Sequence, residues 1–246
     1  MTLRFLGYYC KIRLLPLLLF VALLALLIRL GFWQLDRAEV KRQFLQLEQE
    51  KAHMQAVPLL SLLVHAKQDF KYRKVELQGY YDTQHQFLID NQIYLGKVGY
   101  FVLTPFVLKS QDIVLVNRGW LPMSQDRQLP DISLSPSIGE QTIVGIINDF
   151  PGVGLILKGA DEPGKGWPSV VQIINAQKIA QKLGYVVLDF QVQLLPTQND
   201  GYTRDWQIST KMPPEKHKAY AFQWFALAVT LILLTLWISC KKETND

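Results

Sequence analysis

Cysteine and histidine are scarce in this chain of 246 residues, which contains two cysteines and four histidines. Because Cys10 and Cys240 lie near opposite ends, the segment between them has no disulfide framework, no thiol-bound metal and no Cys-x-x-Cys motif. The sequence also lacks a phosphate-binding loop, a Gly-x-Ser-x-Gly nucleophile elbow and a His-Glu-x-x-His zinc motif. We therefore expect neither an enzyme with catalytic residues nor a resident metal site.

Charge of one sign is not concentrated anywhere in the chain. The formal net charge is +5, from 26 lysines and arginines against 21 aspartates and glutamates, and no basic stripe is present. A nucleic-acid partner is therefore not expected. The most that the net charge implies is a weak attraction to anionic lipid head groups.

Two long apolar runs lie near the two ends of the chain. The first covers residues 14–33, interrupted only by Pro16 and Arg29, and the second covers residues 219–240 without a charge. Each has about the 20 residues that a helix needs to cross a bilayer core. The first run is not followed by a small-residue cleavage site, which favours an uncleaved anchor. We predict tails at 1–13 and 241–246, transmembrane helices at 14–35 and 219–240, and a domain at 36–218.

Two crossings place both tails on one side of the membrane and the domain on the other. Lysine and arginine counts next to the spans are nearly equal on the two sides, so they favour cytoplasmic tails only slightly.

The segment between the runs shows mainly the period-two pattern of β-strands. Strands are expected at residues 75–81, 87–89, 100–108, 113–120, 142–148 and 185–195, with a turn at Asp90–Asn91. A short helix is predicted between the N-cap Asn175 and the stop signal Gly184. Residues 36–57 are expected to continue the first span as an amphipathic helix. The fold class is therefore an α+β, mainly antiparallel, barrel- or sandwich-like domain flanked by two membrane helices.

Polar and aromatic side chains collect where the two runs meet this domain. An arginine inside an apolar run must find a partner or extend towards the interface. A histidine at the mouth of a span can either anchor the helix end or act as an axial ligand to a haem, and the residues alone leave both open. The residues concerned are Arg29, Trp33, Arg37, His217, Tyr220, Gln223 and Trp224.

Four blocks of sequence carry a resemblance. They are Gly-Phe-Trp-Gln-Leu-Asp-Arg at 31–37, Gly-Tyr-Tyr-Asp with Gly-Tyr-Phe-Val-Leu-Thr-Pro at 79–82 and 99–105, Asn-Arg-Gly-Trp-Leu-Pro at 117–122, and His-Lys-Ala-Tyr-Ala-Phe-Gln-Trp-Phe at 217–225. In these blocks and their order the chain resembles the bacterial branch of the Surfeit-locus family of cytochrome oxidase assembly proteins. It departs from many relatives at Glu215 and Lys216, where an asparagine usually precedes the histidine.

The resemblance implies a multi-pass protein of the bacterial inner membrane with its main domain in the periplasm. It implies a role in assembling a haem-copper oxidase (cytochrome c oxidase), with the oxidase large subunit, haem a synthase and the bilayer as partners. Haem a would bind through His217, with Arg29, Arg37, Trp33, Tyr220 and Trp224 as weaker candidates around it. The alternative is a cofactor-free scaffold that holds the oxidase subunit or the synthase.

The central block, Arg118-Gly119-Trp120, has two interpretations. In the structural one, Arg118 caps a turn, Gly119 permits a bend and Trp120 fills the core. In the other, the three residues form a docking surface for a partner of the assembly pathway. Arg204 with Trp206 is a similar, weaker candidate.

Overall fold

The computed structural model describes residues 2–5, 8–11, 14–64, 70–126, 128–132, 139–152, 158–206 and 212–242. The chain forms two compact units, residues 1–47 with 208–246, and residues 48–207. In chain order the elements are β1 (Thr2–Phe5), β2 (Tyr8–Lys11), α1 (Leu14–His53), β3 (Val57–Pro58), α2 (Leu59–Leu63), β4 (Lys74–Tyr81), β5 (Phe87–Tyr94), β6 (Lys97–Leu108), β7 (Ile113–Pro122), β8 (Gln141–Asn148), β9 (Ser169–Val171), α3 (Ala176–Leu183), β10 (Val187–Leu194), α4 (Pro214–Ser239) and β11 (Cys240–Lys242).

The first unit is built on the helices α1 and α4. Both are long and apolar enough to cross a membrane, and in each the most apolar stretch is only 11% buried. Leucines exposed along such a stretch need an apolar solvent, which a bilayer supplies. Pro16 and Pro214 lie in the first turns, where a missing N–H breaks no helical hydrogen bond. The two predicted apolar helices are confirmed, and so is the continuation of the first one beyond its apolar run. The limits of the membrane remain a prediction.

The two tails contribute short strands that the sequence pattern did not indicate. The strands β1, β2 and β11 form one small antiparallel sheet, in which Cys240 is the backbone partner of Cys10. Both tails therefore lie at the same end of the helix pair, as two membrane crossings require.

The second unit is a closed five-stranded barrel. Its strands follow the order β4-β8-β10-β7-β6, and β6 pairs back with β4 to close it. All neighbours are antiparallel except β7 and β10, which are parallel. Closure requires glycine at position 79, because a Cβ there would lie 2.0 Å from the Val107 carbonyl oxygen. The predicted fold class, mainly antiparallel with two flanking helices, is confirmed, and of its two alternatives the barrel is the one that forms.

Three apolar clusters stabilise the described part of this unit, and two of them contain most of its buried apolar side chains. Inward-facing residues of the barrel strands fill its interior, among them Val75, Leu77, Phe106, Val116 and Val192. A second cluster joins β5, β9 and α3 to the outer face of the barrel, and it contains Phe87, Leu103, Leu115, Val171 and Ile179. The inward-facing side chains of the barrel strands are therefore buried in the barrel interior. Part of the outer face of the barrel is buried under α3 and β9.

Three local features refine the sequence predictions. The helix α3 has the predicted N-cap, since the Asn175 side chain accepts hydrogen bonds from the backbone of Gln177 and Lys178, and Gly184 ends it with φ 77°. The predicted turn at Asp90–Asn91 is wrong: these residues form a bulge within β5, with Asn91 at φ 58° and a register shift between Ile89 and Gln92. The short strand β9, in a segment rich in glycine and proline, was not predicted.

Candidate functional site

The two long helices pack along a seam in which small residues alternate with larger ones. A Cβ on Gly31 would lie 2.5 Å from the ring of Phe225, and Phe32 meets the same ring edge-on at 5.4 Å between centroids. Small side chains let two helices approach closely, and van der Waals packing then holds them together in a lipid environment. The buried or half-buried seam residues recur every three or four positions, at Leu27, Gly31, Gln34 and Ala38 of α1 and at His217, Ala221, Phe225 and Ala228 of α4.

One polar pair interrupts this seam. The side chain of His217 is 8% exposed, and its Nδ1 lies 2.7 Å from Oε1 of Gln34. Because an amide oxygen only accepts, Nδ1 is the donor in this hydrogen bond. The other ring nitrogen, Nε2, makes no hydrogen bond to any residue that the structure describes. The pair therefore provides an imidazole whose Nδ1 is hydrogen-bonded to Gln34 and whose Nε2 has no partner among the described residues.

The remaining residues predicted around His217 do not converge on it. Arg29 is exposed and lies two positions from Gly31, about 200° around α1 and so nearly opposite the seam. Trp33 and Arg37 are also exposed, and they pair with each other, since the guanidinium lies 5.6 Å from the indole centroid. On α4, Tyr220 is exposed and Trp224 is half-buried, within two turns of His217. The structure therefore brings His217 together with Gln34, and neither arginine joins this pair.

No cluster of metal ligands accompanies the histidine. Across the described ranges, no group of three or more histidine, cysteine, aspartate or glutamate side chains could hold a metal ion.

The arginine of the central block lies inside the barrel. Arg118 follows Val114 and Val116 on the inward face of β7 and is 0% exposed. Its Nε donates to the Asp200 carbonyl oxygen at 2.7 Å, and its Nη1 donates to Oε1 of Gln86 at 3.3 Å. A buried charge needs such partners, because leaving water is costly for it. Arg118 therefore fixes the turn that contains Asp200, which is the role that the structural interpretation expected.

Two tyrosine rings enclose this guanidinium. The centroid of Tyr81 lies 5.7 Å and that of Tyr202 5.2 Å from its central carbon, which is cation–π distance. Burial lowers the pKa of Arg118 and raises the pKa of both tyrosines. Both tyrosine hydroxyls are buried and have no hydrogen-bond partner among the described residues. The cluster is tightly packed, and its polar groups are not all satisfied.

The rest of the central block is also interior. Gly119 has φ 121°, and Trp120 is 6% exposed and donates from Nε1 to the Gln92 carbonyl oxygen at 2.9 Å. The weaker candidates are half-buried and also donate to the backbone, Arg204 to the Leu195 carbonyl oxygen and Trp206 to that of Leu194. As folded, residues 118–120 present no exposed side chain, so a docking surface here remains a prediction without support from exposure.

Comparison with known proteins decides the family. The model of the SURF1 family matches residues 21–229, a range that includes the helix seam, the barrel and the buried arginine. This chain belongs to the SURF1 family. A SURF1-like protein of Rickettsia bellii is 27% identical over 222 residues, which cover 85% of this chain and 84% of that protein. The cytochrome oxidase assembly protein SHY1 of Saccharomyces cerevisiae is 31% identical over 104 residues, or 42% of this chain and 26% of SHY1. Surfeit locus protein 1 of Arabidopsis thaliana is 32% identical over 116 residues, or 39% of this chain and 30% of that protein.

Sequence reasoning missed one residue of the site in this SURF1 family member. Gln34 lies in the block at 31–37 that carries the family resemblance, but composition and periodicity gave no reason to single it out. Its position near the end of an apolar run could have indicated that Gln34 has a polar partner, because a polar group removed from water requires one.

Proposed function

We propose that this SURF1 family member is a membrane-anchored assembly factor for cytochrome oxidase that binds haem a through His217 and passes it to the oxidase large subunit. Family membership, together with the similarity to the yeast cytochrome oxidase assembly protein SHY1, supports the assembly role. Haem a synthase would be the donor of the haem. The protein would lie in a bacterial inner membrane with its barrel in the periplasm.

The single observation that carries haem binding is the geometry of His217. The Nε2 atom is the one that would meet the iron, while Nδ1 is engaged with Gln34 at 2.7 Å. Metal-binding histidines usually donate from their second nitrogen to an acceptor in this way. The exposed aromatic ring of Tyr220, about one turn after His217 on α4, would suit the apolar macrocycle. The bound haem would be cargo, so the protein itself needs to break or form no covalent bond.

The arginines fit this proposal less well. Arg29 is exposed nearly opposite the seam, and Arg37, one turn after Gln34, is exposed and lies over the ring of Trp33, so neither arginine contacts His217. We therefore assign the haem contact to His217 alone and leave the propionates to water or to a partner protein.

A second candidate function rests on a specific observation as well. His217 is almost fully buried and bonded to the neighbouring helix, which is also what a purely structural interhelical hydrogen bond looks like. In that case the protein is a scaffold that holds the oxidase subunit or the synthase without binding haem.

The deciding experiment is an absorption spectrum of the detergent-purified full-length chain from cells that also synthesise haem a. We expect a stoichiometric haem spectrum in the unchanged protein and its loss in His217→Ala. The matched control is Gln223→Ala, which alters an exposed polar residue of the same helix and should retain haem. A colourless unchanged protein, or an unaltered spectrum in His217→Ala, would reject the haem assignment. Normal oxidase assembly with His217→Ala would favour the scaffold.

A further inference from the structure

We propose that Gln34 is a positioning residue that fixes the imidazole of His217 in the tautomer with its hydrogen on Nδ1, leaving the Nε2 lone pair free for a metal. The importance of this for haem rests on the proposed function. The tautomer itself is a property of the haem-free protein and can be measured there.

The argument begins with the donor and acceptor inventory of the pair. A neutral imidazole carries one hydrogen, and the hydrogen bond made by one nitrogen decides which nitrogen carries it. The Oε1 atom of Gln34 has lone pairs and no hydrogen, and at 2.7 Å from Nδ1 it requires that nitrogen to be the donor. Nε2 is then the unprotonated nitrogen, and only an unprotonated nitrogen can bind a metal.

The surroundings strengthen this hydrogen bond. Gly31 and Ala38 lie about one turn before and after Gln34, and Ala221 lies about one turn after His217, all of them buried. Small side chains let the two backbones approach closely, and in this seam His217 is almost fully buried and Gln34 is half-buried. A hydrogen bond in such a low-dielectric seam is stronger than one in water, and either partner left alone there carries a desolvation penalty. The pair therefore restricts the rotation of the ring as well as its tautomer.

A residue that hydrogen-bonds to a metal-binding histidine changes how strongly that histidine binds the metal. A histidine that donates from its second nitrogen to an acceptor is a more basic and better oriented ligand, and removing the acceptor typically weakens metal affinity by about 10–100-fold. We expect a loss of about this size in haem affinity for Gln34→Leu, which keeps the volume of the side chain but cannot accept. Gln34→Glu keeps an acceptor at the same reach, so we expect it to retain binding and to lower the reduction potential of the bound haem.

The first test is nitrogen NMR of the haem-free full-length chain in detergent, with ¹⁵N-labelled histidine. The chain has only four histidines, so replacing His217 assigns its signals. In the unchanged protein we expect Nδ1 to be protonated and Nε2 to be unprotonated. This preference should disappear in Gln34→Leu and persist in Gln34→Glu. Gln223→Leu, an exposed glutamine on α4, is the matched control and should change nothing.

Two results would overturn the inference. A hydrogen on Nε2 in the unchanged protein would mean that the Gln34 amide nitrogen donates to Nδ1, so that Gln34 occupies the only unprotonated ring nitrogen and Nε2 has no lone pair for a metal. An unchanged tautomer in Gln34→Leu would mean that something else sets it.

A haem titration of the same variants separates this inference from the proposed function. Weakened binding in Gln34→Leu beside complete loss in His217→Ala supports both. If His217→Ala binds haem with the same affinity as the unchanged protein, the proposed function is wrong. The NMR spectrum alone then decides whether the tautomer assignment is correct.

Discussion

Replacing the buried arginine of the barrel tests most directly whether the central block is structural. In Arg118→Ala two acceptors of the guanidinium, the Asp200 carbonyl oxygen and Oε1 of Gln86, lose this donor. The Gln86 oxygen keeps its hydrogen bond from Thr104, but the Asp200 oxygen loses a charged donor. The two enclosing tyrosine rings also lose their cation.

The expected loss of stability comes from two sources. A buried acceptor left unpaired costs about 1–3 kcal/mol. Truncating a large, fully buried side chain to alanine leaves a cavity that costs about 2–5 kcal/mol. Part of this loss of stability is offset, because folding of the variant no longer requires the dehydration of a charged group. We therefore expect Arg118→Ala to lower the free energy of unfolding by about 4 kcal/mol. Arg118→Met fills most of the space, so it should cost only about half as much.

Denaturant unfolding of the full-length chain in detergent, followed by tryptophan fluorescence, measures these differences. Trp120, next to the arginine in β7, reports on this end of the barrel. The control is Lys109→Ala, an exposed lysine paired with Glu140, which should change stability by less than about 1 kcal/mol. If Arg118→Ala is as stable as this control yet fails to associate with an oxidase subunit, the docking interpretation is right and the structural one is refuted.

Two further predictions concern the same domain. Leu95 and Gly96 form the two-residue turn between β5 and β6 with φ 46° and 76°, and Leu95 is 82% exposed. Since a left-handed leucine costs about 1–2 kcal/mol and asparagine is preferred there, Leu95→Asn should raise the unfolding free energy by about 1 kcal/mol in the same denaturant assay, and no gain would contradict the strain argument. Tyr81→Phe removes a buried hydroxyl that has no hydrogen-bond partner in the part of the chain that the structure describes, so it should be neutral or stabilising at pH 7. Burial raises the pKa of Tyr81 above the unfolded value of about 10, so the folded state holds its proton longer than the unfolded state and stability falls as pH rises above about 10. Stability measured against pH should therefore decline less steeply above pH 10 in Tyr81→Phe, and an identical alkaline decline would contradict the assignment.

Local patterns were sufficient for the elements whose stability is local. The apolar run followed by mixed charges predicted one helix from the first span into the soluble segment, and α1 does run from Leu14 to His53. The cap asparagine and the stop glycine predicted α3 within a residue, because both act through hydrogen bonds and dihedral angles of a few neighbouring residues. The alternation of apolar residues likewise predicted four of the five barrel strands closely.

Features that depend on distant partners could not be predicted in this way. The barrel closes because β6 pairs with β4 as well as with β7. The residue pattern of one strand does not determine which strand pairs with it. Arg118 was expected at a turn or a surface, since charged side chains are rarely buried. Two of its acceptors, Asp200 and Gln86, are 82 and 32 residues away in the chain. The pair of Gln34 and His217 spans 183 residues, so neither partner could indicate the other.

The residues in the blocks that carry the family resemblance have two different roles. Gly79 permits closure of the barrel and Gly31 permits the contact of the helices, so these parts of the resemblance concern the fold. Gln34 and His217 are different, because a seam of glycine, alanine and leucine would pack the same helices without a polar pair and without its desolvation cost. Model studies show that an interhelical hydrogen bond in a membrane contributes only about 1–2 kcal/mol, so stability is a weak reason to place histidine there. The helix pair, more than the surface of the barrel, is therefore where the chemistry of this protein is to be sought.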